Sequence, residues 1–219
     1  MKKKCPNCKL VNYPNAEICA RCGASFNTIG VEASDDTTGG SRIKRRVAIF
    51  VSVCFITLAG FYVSMILSAA SLSYEQKKTV TRAIMILEEK GFSSEVFLLK
   101  RLAVYRSNDN WLNASVEKES AFAAANFPFE IVTLYPDFFT NTVDDTERAA
   151  ILLHESKHLQ GKDEKEAYEF VWRNRKKLGW ISEAYGNSDS WNEIRKQTRE
   201  YAPNLFVCDT NPFGDCTDS

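Results

Sequence analysis

Ala149-Ala-Ile-Leu-Leu-His-Glu-Ser-Lys-His-Leu-Gln-Gly161 holds both histidines of the chain inside one apolar run. Just before it, Asp144-Asp-Thr-Glu147 reads as a helix N-cap with its reciprocal glutamate. Ala149 to Leu153 are mostly good helix formers and Gly161 is a stop, so the stretch is expected to be helical. On a helix, residues four apart share a face. His154 and His158 can then grip one metal ion while Glu155, one step round, meets a water bound to it. Such a trio fits zinc-assisted hydrolysis of a peptide bond. The plainer alternative is a buried helix that carries two surface histidines and binds nothing.

Working outward, a catalytic zinc site takes three protein ligands and leaves a fourth position to water. The chain has no third histidine, so the missing ligand is expected to be a carboxylate. Lys162 to Gly179 reads as the next helix, capped by Asp163 and ended by Gly179. At about 100° per residue, Glu164 falls in a stripe with Ala167, Tyr168, Val171 and Leu178, whereas Glu166 falls beside Arg173 and Lys177 on the charged face. Glu164 is therefore the expected ligand and Glu166 its rival. Tyr168 and Tyr185 are candidates to stabilise an oxyanion.

These two segments together resemble the gluzincin metallopeptidases, in which a His-Glu-x-x-His helix precedes a second helix bearing Glu-x-x-Ala or Glu-x-x-Ser. Glu164-Lys-Glu-Ala167 matches that short pattern, and the resemblance covers about Ile131 to Gly179. It implies a zincin-like fold, with His154, His158 and Glu164 on a catalytic zinc, Glu155 as general base and a peptide or protein as substrate. The chain departs from the family in two places. Tyr168 stands where aspartate is common, and only five residues separate His158 from Glu164.

At the other end of the chain, Cys5-x-x-Cys8 and Cys19-x-x-Cys22 are two knuckles with ten residues between them. Four thiolates at this spacing suit a tetrahedral zinc. A module of about 25 residues also cannot build a sufficient core without such a staple. Within residues 1–26, Lys4 to Ser25 resembles the short zinc-ribbon modules at the N-termini of many bacterial membrane proteins. That implies a structural zinc and a module whose role is either structural or the binding of a cytoplasmic protein partner, and it implies no catalysis.

Residues 27–46 read as a polar linker ending in the basic run Arg42-Ile-Lys-Arg-Arg46, and Val47 to Tyr74 contains no charged side chain. Residues 47–72 are expected to form a single transmembrane helix, long enough for a hydrocarbon core of about 30 Å. The basic run places the N-terminus in the cytoplasm. A reduced four-cysteine site agrees with that side, and an expected Cys208–Cys216 disulfide places the C-terminal domain outside it.

Residues 73–219 are then one domain. Tyr74–Lys90 and Ser93–Tyr105 read as amphipathic helices. Phe129–Tyr135, between Pro128 and Pro136, reads as a strand, either at a sheet edge where it holds extended substrate or plainly in the core. The fold class expected is α+β, mainly helical with a small sheet. Lys and Arg (28) balance Asp and Glu (28) over the 219 residues, so net charge points to no nucleic acid. The competing functional reading is a non-catalytic, membrane-anchored interaction protein with a structural or vestigial metal site.

Overall fold

The computed structural model describes residues 2–26, 38–115, 122–207 and 216–217. They divide into two compact units, Met1–Phe55 and Ile56–Ser219. In the first, strands β1 (Lys3–Lys4) and β2 (Val11–Asn12) pair antiparallel. Each is followed by a cysteine turn of the same form. Lys9 N–H donates to Cys5 O (2.9 Å) and Gly23 N–H to Cys19 O (3.0 Å). Lys9 and Gly23 both have left-handed backbones, with φ of 63° and 70°. Glycine takes that conformation freely, whereas at Lys9 the turn imposes it on a residue with a Cβ.

Helix α1 runs from Thr38 to Ser68, so the basic run is its first turns rather than linker. Arg42–Ser68 is 27 residues, about 40 Å at 1.5 Å per residue, and is long and apolar enough to cross a membrane. The expected span to Leu72 is four residues too long. The helix ends at Ser68, and Ala69 and Leu72 are buried in the folded domain. Ser71 bridges to Arg106, and Ser107 N–H donates to Ala70 O (3.0 Å), which turns the chain into the sheet.

Ser73 opens helix α2 (Tyr74–Glu89) with a complete capping box to Gln76 and buries Val80, Ala83, Ile84 and Leu87, the face read from the pattern. Helix α3 (Ser93–Arg101) stops short of the expected Tyr105, because strand β3 (Val104–Arg106) begins there. Strands β4 (Ala123–Asn126) and β5 (Ile131–Leu134) complete a three-stranded sheet in the order β3-β5-β4, with β5 parallel to β3 and antiparallel to β4. Of the two readings of this strand, edge or core, the structure takes the core one: β5 is the middle strand, and all four of its residues are buried. The flanking prolines do not oppose this. Pro136 opens helix α4 (Pro136–Thr140) and Pro128 lies in the β4–β5 turn, so neither removes a ladder donor. Among the described residues no strand lies beyond β4, where the Ala125 backbone bonds Glu155.

Helix α5 (Asp145–His158) is packed by α2, α3, β4 and the following helix, α6 (Glu164–Leu178). The short α7 (Ser182–Tyr185) and then α8 (Asp189–Tyr201) follow. Trp172, Trp180, Trp191 and Phe206 close the core beneath α6 and α8, with ring centroids 4.6 to 6.1 Å apart. Cys216 is disulfide-bonded, while its expected partner, Cys208, lies outside the described residues, as do residues 27–37 of the linker.

Candidate metal centre

Helix α5 is fixed at both ends, and this sets where its histidines point. At the start, the Asp144 side chain accepts from the N–H groups of Thr146 (2.8 Å) and Glu147 (3.1 Å). Glu147 reaches back to Val143 N–H (2.7 Å), one residue beyond the expected box, and also accepts from Ser188 Oγ–H. At the finish, Gly161 turns the chain with φ of 73°. Asp163 then caps α6 by accepting from Glu166 N–H (2.9 Å).

Between these ends, His154 Nε2 lies 3.0 Å from His158 Nε2, and Glu164 Oε2 lies 3.2 Å and 3.4 Å from the two. A tetrahedron with ligand distances near 2.1 Å has edges of about 3.4 Å, so three donors this far apart fit around one ion such as zinc. His158 Nδ1 faces the Lys162 carbonyl oxygen (2.9 Å), which fixes that ring and leaves Nε2 for the ion. His154 Nδ1 is buried and, among the described residues, has no hydrogen-bond partner. This agrees with Tyr168 standing where an aspartate would serve. The Tyr168 ring instead packs against His154, with centroids 4.2 Å apart.

Glu155 is buried beside this cluster, and its Oε2 also lacks a partner among the described residues. Burial pushes its carboxyl pKa up, against the pull of His154 and His158 and a bond from the Ala125 backbone on β4. Hydrogen bonds to His154 and His158 hold Glu164 well below the usual carboxylate range. Burial lowers His158, but the Glu164 hydrogen bond and the charges of Glu155 and Glu164 outweigh it and bring it to about 9.

The cluster opens into a cavity of about 930 Å³. Its walls are β4 with the flanking Phe122 and Phe127, the histidine turn of α5, Tyr168 of α6, and Gln197 and Tyr201 of α8. Tyr168 donates its hydroxyl to Gln197 Oε1, and burial with the charges of Glu164 and Glu155 raises its pKa far above the ordinary range, so it stays a donor.

Two expected site residues fall elsewhere. Glu166 turns to Lys162 Nζ, 2.8 Å away, because the cap at Asp163 sets the phase that puts it on the solvent face. Tyr185 donates to Asp144 Oδ2 (2.7 Å) at the opposite end of α5 and does not line the cavity. Reading the sequence missed β4, whose Ala-Ala-Ala-Asn has little strand character, and it missed α8. The spacing of Trp191, Ile194 and Thr198 in α8 carries an amphipathic signal that was there to be read.

In the other unit, Cys5 Sγ lies 3.6 Å from Cys22 Sγ and Cys8 Sγ 3.5 Å from Cys19 Sγ, and all four sulfurs are within 4.8 Å of one another. Zinc–sulfur distances near 2.3 Å give tetrahedral edges of about 3.8 Å, so the set suits zinc. Backbone N–H groups of Arg21 and Cys22 lower the Cys19 pKa to about 6, which favours the thiolate that metal binding needs. No protein-family model, no curated protein and no solved structure matches the chain.

Proposed function

We propose that the chain is a membrane-anchored zinc-dependent peptidase whose site is of the gluzincin type. The observation that carries this reading is the convergence of His154 Nε2, His158 Nε2 and Glu164 Oε2 beside a buried Glu155 oxygen with no partner among the described residues, at one wall of an open cavity. His154, His158 and Glu164 hold the metal. When bound there, zinc supplies a Lewis acid for the scissile carbonyl and lowers the pKa of water towards about 7. Glu155 takes the proton from the attacking water and delivers it to the leaving amine, and its burial raises its basicity for that step. The outer edge of β4, which no described strand pairs, binds extended peptide by strand addition. Tyr168, kept protonated, hydrogen-bonds the oxyanion by turning its one hydroxyl proton away from Gln197 Oε1.

In this reading the four cysteines form a zinc ribbon, Arg42–Ser68 spans the membrane with the ribbon in the cytoplasm, and the peptidase domain lies outside it. The disulfide at Cys216 supports the oxidising side for that domain. An impermeant thiol reagent that labels the reduced C-terminal cysteines only after permeabilisation reverses the topology.

The decisive experiment compares the wild-type chain with Glu155→Gln in vesicles, measuring bound zinc and hydrolysis of an unstructured protein. The variant keeps its zinc and loses turnover. Full turnover removes Glu155 as general base. One observation favours a second reading, a tethered binding protein: among the described residues His154 has no orienting partner of the kind a ligand histidine ordinarily has. Two metals per chain with no hydrolysis in the wild type select that reading.

A further inference from the structure

The chain around the foot of α1 gives the cavity an unusual neighbour. A hydrocarbon core of about 30 Å takes about 20 helical residues. A span that starts at Val47, after the basic run, therefore leaves the hydrocarbon near Ile66. The domain grips α1 at that depth. Trp111 donates through Nε1 to Ser64 Oγ and through its backbone N–H to Ser68 Oγ, both at 3.2 Å, and its ring meets Phe61 edge-on with centroids 5.4 Å apart. The Phe129 ring lies 5.5 Å from that of Phe61 and 6.4 Å from that of Tyr62. Arg106 Nε donates to Ile66 O (3.1 Å).

The segments that make this grip also carry three exposed apolar side chains. Trp111 is 50% exposed, Leu112 39% and Phe127 59%. Singly, such residues mean little. Together, on the segments that hold a membrane-deep turn of helix, they are the residue types that an apolar face lying in the bilayer interface carries. The same segments carry the cavity wall. Asn113, next after Leu112, exchanges side-chain hydrogen bonds with Asn126 (2.8 and 3.1 Å), and Asn113, Asn126 and Phe127 all line the cavity.

We propose that Trp111, Leu112 and Phe127 rest in the lipid headgroup layer, so that the cavity opens at the bilayer surface and takes extended segments of proteins that are themselves anchored in the same membrane. The occupant of the apolar surface is lipid, because the surface is continuous with the helix that enters it. The placement rests on α1 as a membrane span, and the substrate class rests in addition on the peptidase reading.

The two parts are tested separately with the full chain in phosphatidylcholine vesicles. A photo-crosslinking amino acid replaces Leu112 or Phe127 in a Glu155→Gln background, with Val143 as control. Val143 is also apolar, 68% exposed, and lies at the far end of α5, about 20 Å from the histidine turn by helical rise. Positions 112 and 127 crosslink to lipid and position 143 does not. Absence of lipid adducts at 112 and 127, or equal labelling at 143, overturns the placement.

The second part compares one peptide with and without an N-terminal acyl chain, using the wild-type enzyme. In vesicles kcat/KM is at least tenfold higher for the anchored peptide, and the ratio vanishes in detergent. Equal values in vesicles overturn the substrate class. If neither peptide is cut while the lipid adducts form, the peptidase reading fails and the placement stands.

Discussion

Replacing Glu164 by Gln tests whether the three converging atoms are a metal site. The amide has the same shape, but it is neutral and a poor zinc ligand, while the histidines it leaves behind remain 3.0 Å apart. Changes one layer outside a metal's ligands already cost 10–100-fold in affinity, so loss of the ligand itself is expected to cost at least about 100-fold. With free zinc buffered at about 100 times the wild-type Kd, binding stabilises the wild type by about 2.7 kcal/mol and E164Q by about 0.4 kcal/mol. Each kcal/mol is worth about 2–4 °C in Tm for a domain of this size, so the zinc-induced shift falls from roughly 5–11 °C to about 1 °C. E166Q keeps the full shift, because Glu166 is engaged with Lys162 and faces away from the histidines. The melt is followed by near-ultraviolet circular dichroism. All four tryptophans lie beyond residue 55, so the signal reports the domain rather than the cysteine module. A full zinc shift in E164Q, or a lost one in E166Q, refutes the ligand assignment.

Lys157→Met destabilises the domain by about 3 kcal/mol in denaturant melts, because it strands a buried charge. Lys157 Nζ is 2.5 Å from Glu95 Oε1, both side chains are at most 10% exposed, and the Phe170 ring lies 3.5 Å away. Adding Glu95→Leu to that variant restores most of the loss. Asp145 bonds Arg82 (2.6 Å) and Arg148 (2.7 Å), and these partners hold its pKa below the ordinary value although burial pulls it upward. A depressed pKa means stability that is present above the unfolded value near 4 and is lost as pH falls through the folded one. Asp145→Asn therefore costs about 1 kcal/mol at neutral pH and flattens the acid limb of a Tm–pH curve. Chelation strong enough to strip the cysteines unfolds residues 2–26, whose buried apolar side chains are Cys5 and Cys19, and leaves the tryptophan signal of the domain unchanged. Amide exchange resolved by residue separates the two.

What the sequence disclosed and what it concealed follow one physical division. Local chemistry was legible. Asp144, Asp163, Gly161 and Gly179 punctuate α5 and α6 as read, since caps and left-handed stops act within one turn. The phase of α6 turns Glu164 towards the histidines and Glu166 towards Lys162, but it does not bury the first, since the two side chains are 48% and 50% exposed. Features set by distant partners were not legible. That β5 is central depends on β3 and β4 flanking it, and Ala123–Asn126 has no strand character of its own. Tyr185 reads as an apolar residue with a hydroxyl wherever it falls, and only the return of the chain at α7 brings it to Asp144. The turn Asn108–Asn113 is polar without an evident purpose until α1 is seen beside it, with Asn108 Oδ1 accepting from Ala70 N–H (2.5 Å) and Trp111 holding Ser64.

The distribution of satisfied and unsatisfied polar groups along α5 ties these findings together. Its first turn is over-provided, with Asp144, Glu147, Tyr185 and Ser188 all bonded there, and Lys157 is neutralised by Glu95 on the flank away from the cavity. Yet two of the five buried side-chain atoms without partners among the described residues, His154 Nδ1 and Glu155 Oε2, lie on this same helix at the cavity. Each such atom costs about 1–3 kcal/mol when nothing meets it. A helix that only needed to pack would carry apolar residues at 154 and 155, as it does at Ile151, Leu152 and Leu153. The bonds at the first turn and at Lys157 hold α5 in place without the polar pair, and the proposed site would use that pair, Glu155 Oε2 for a proton and the histidine rings for a shared ion.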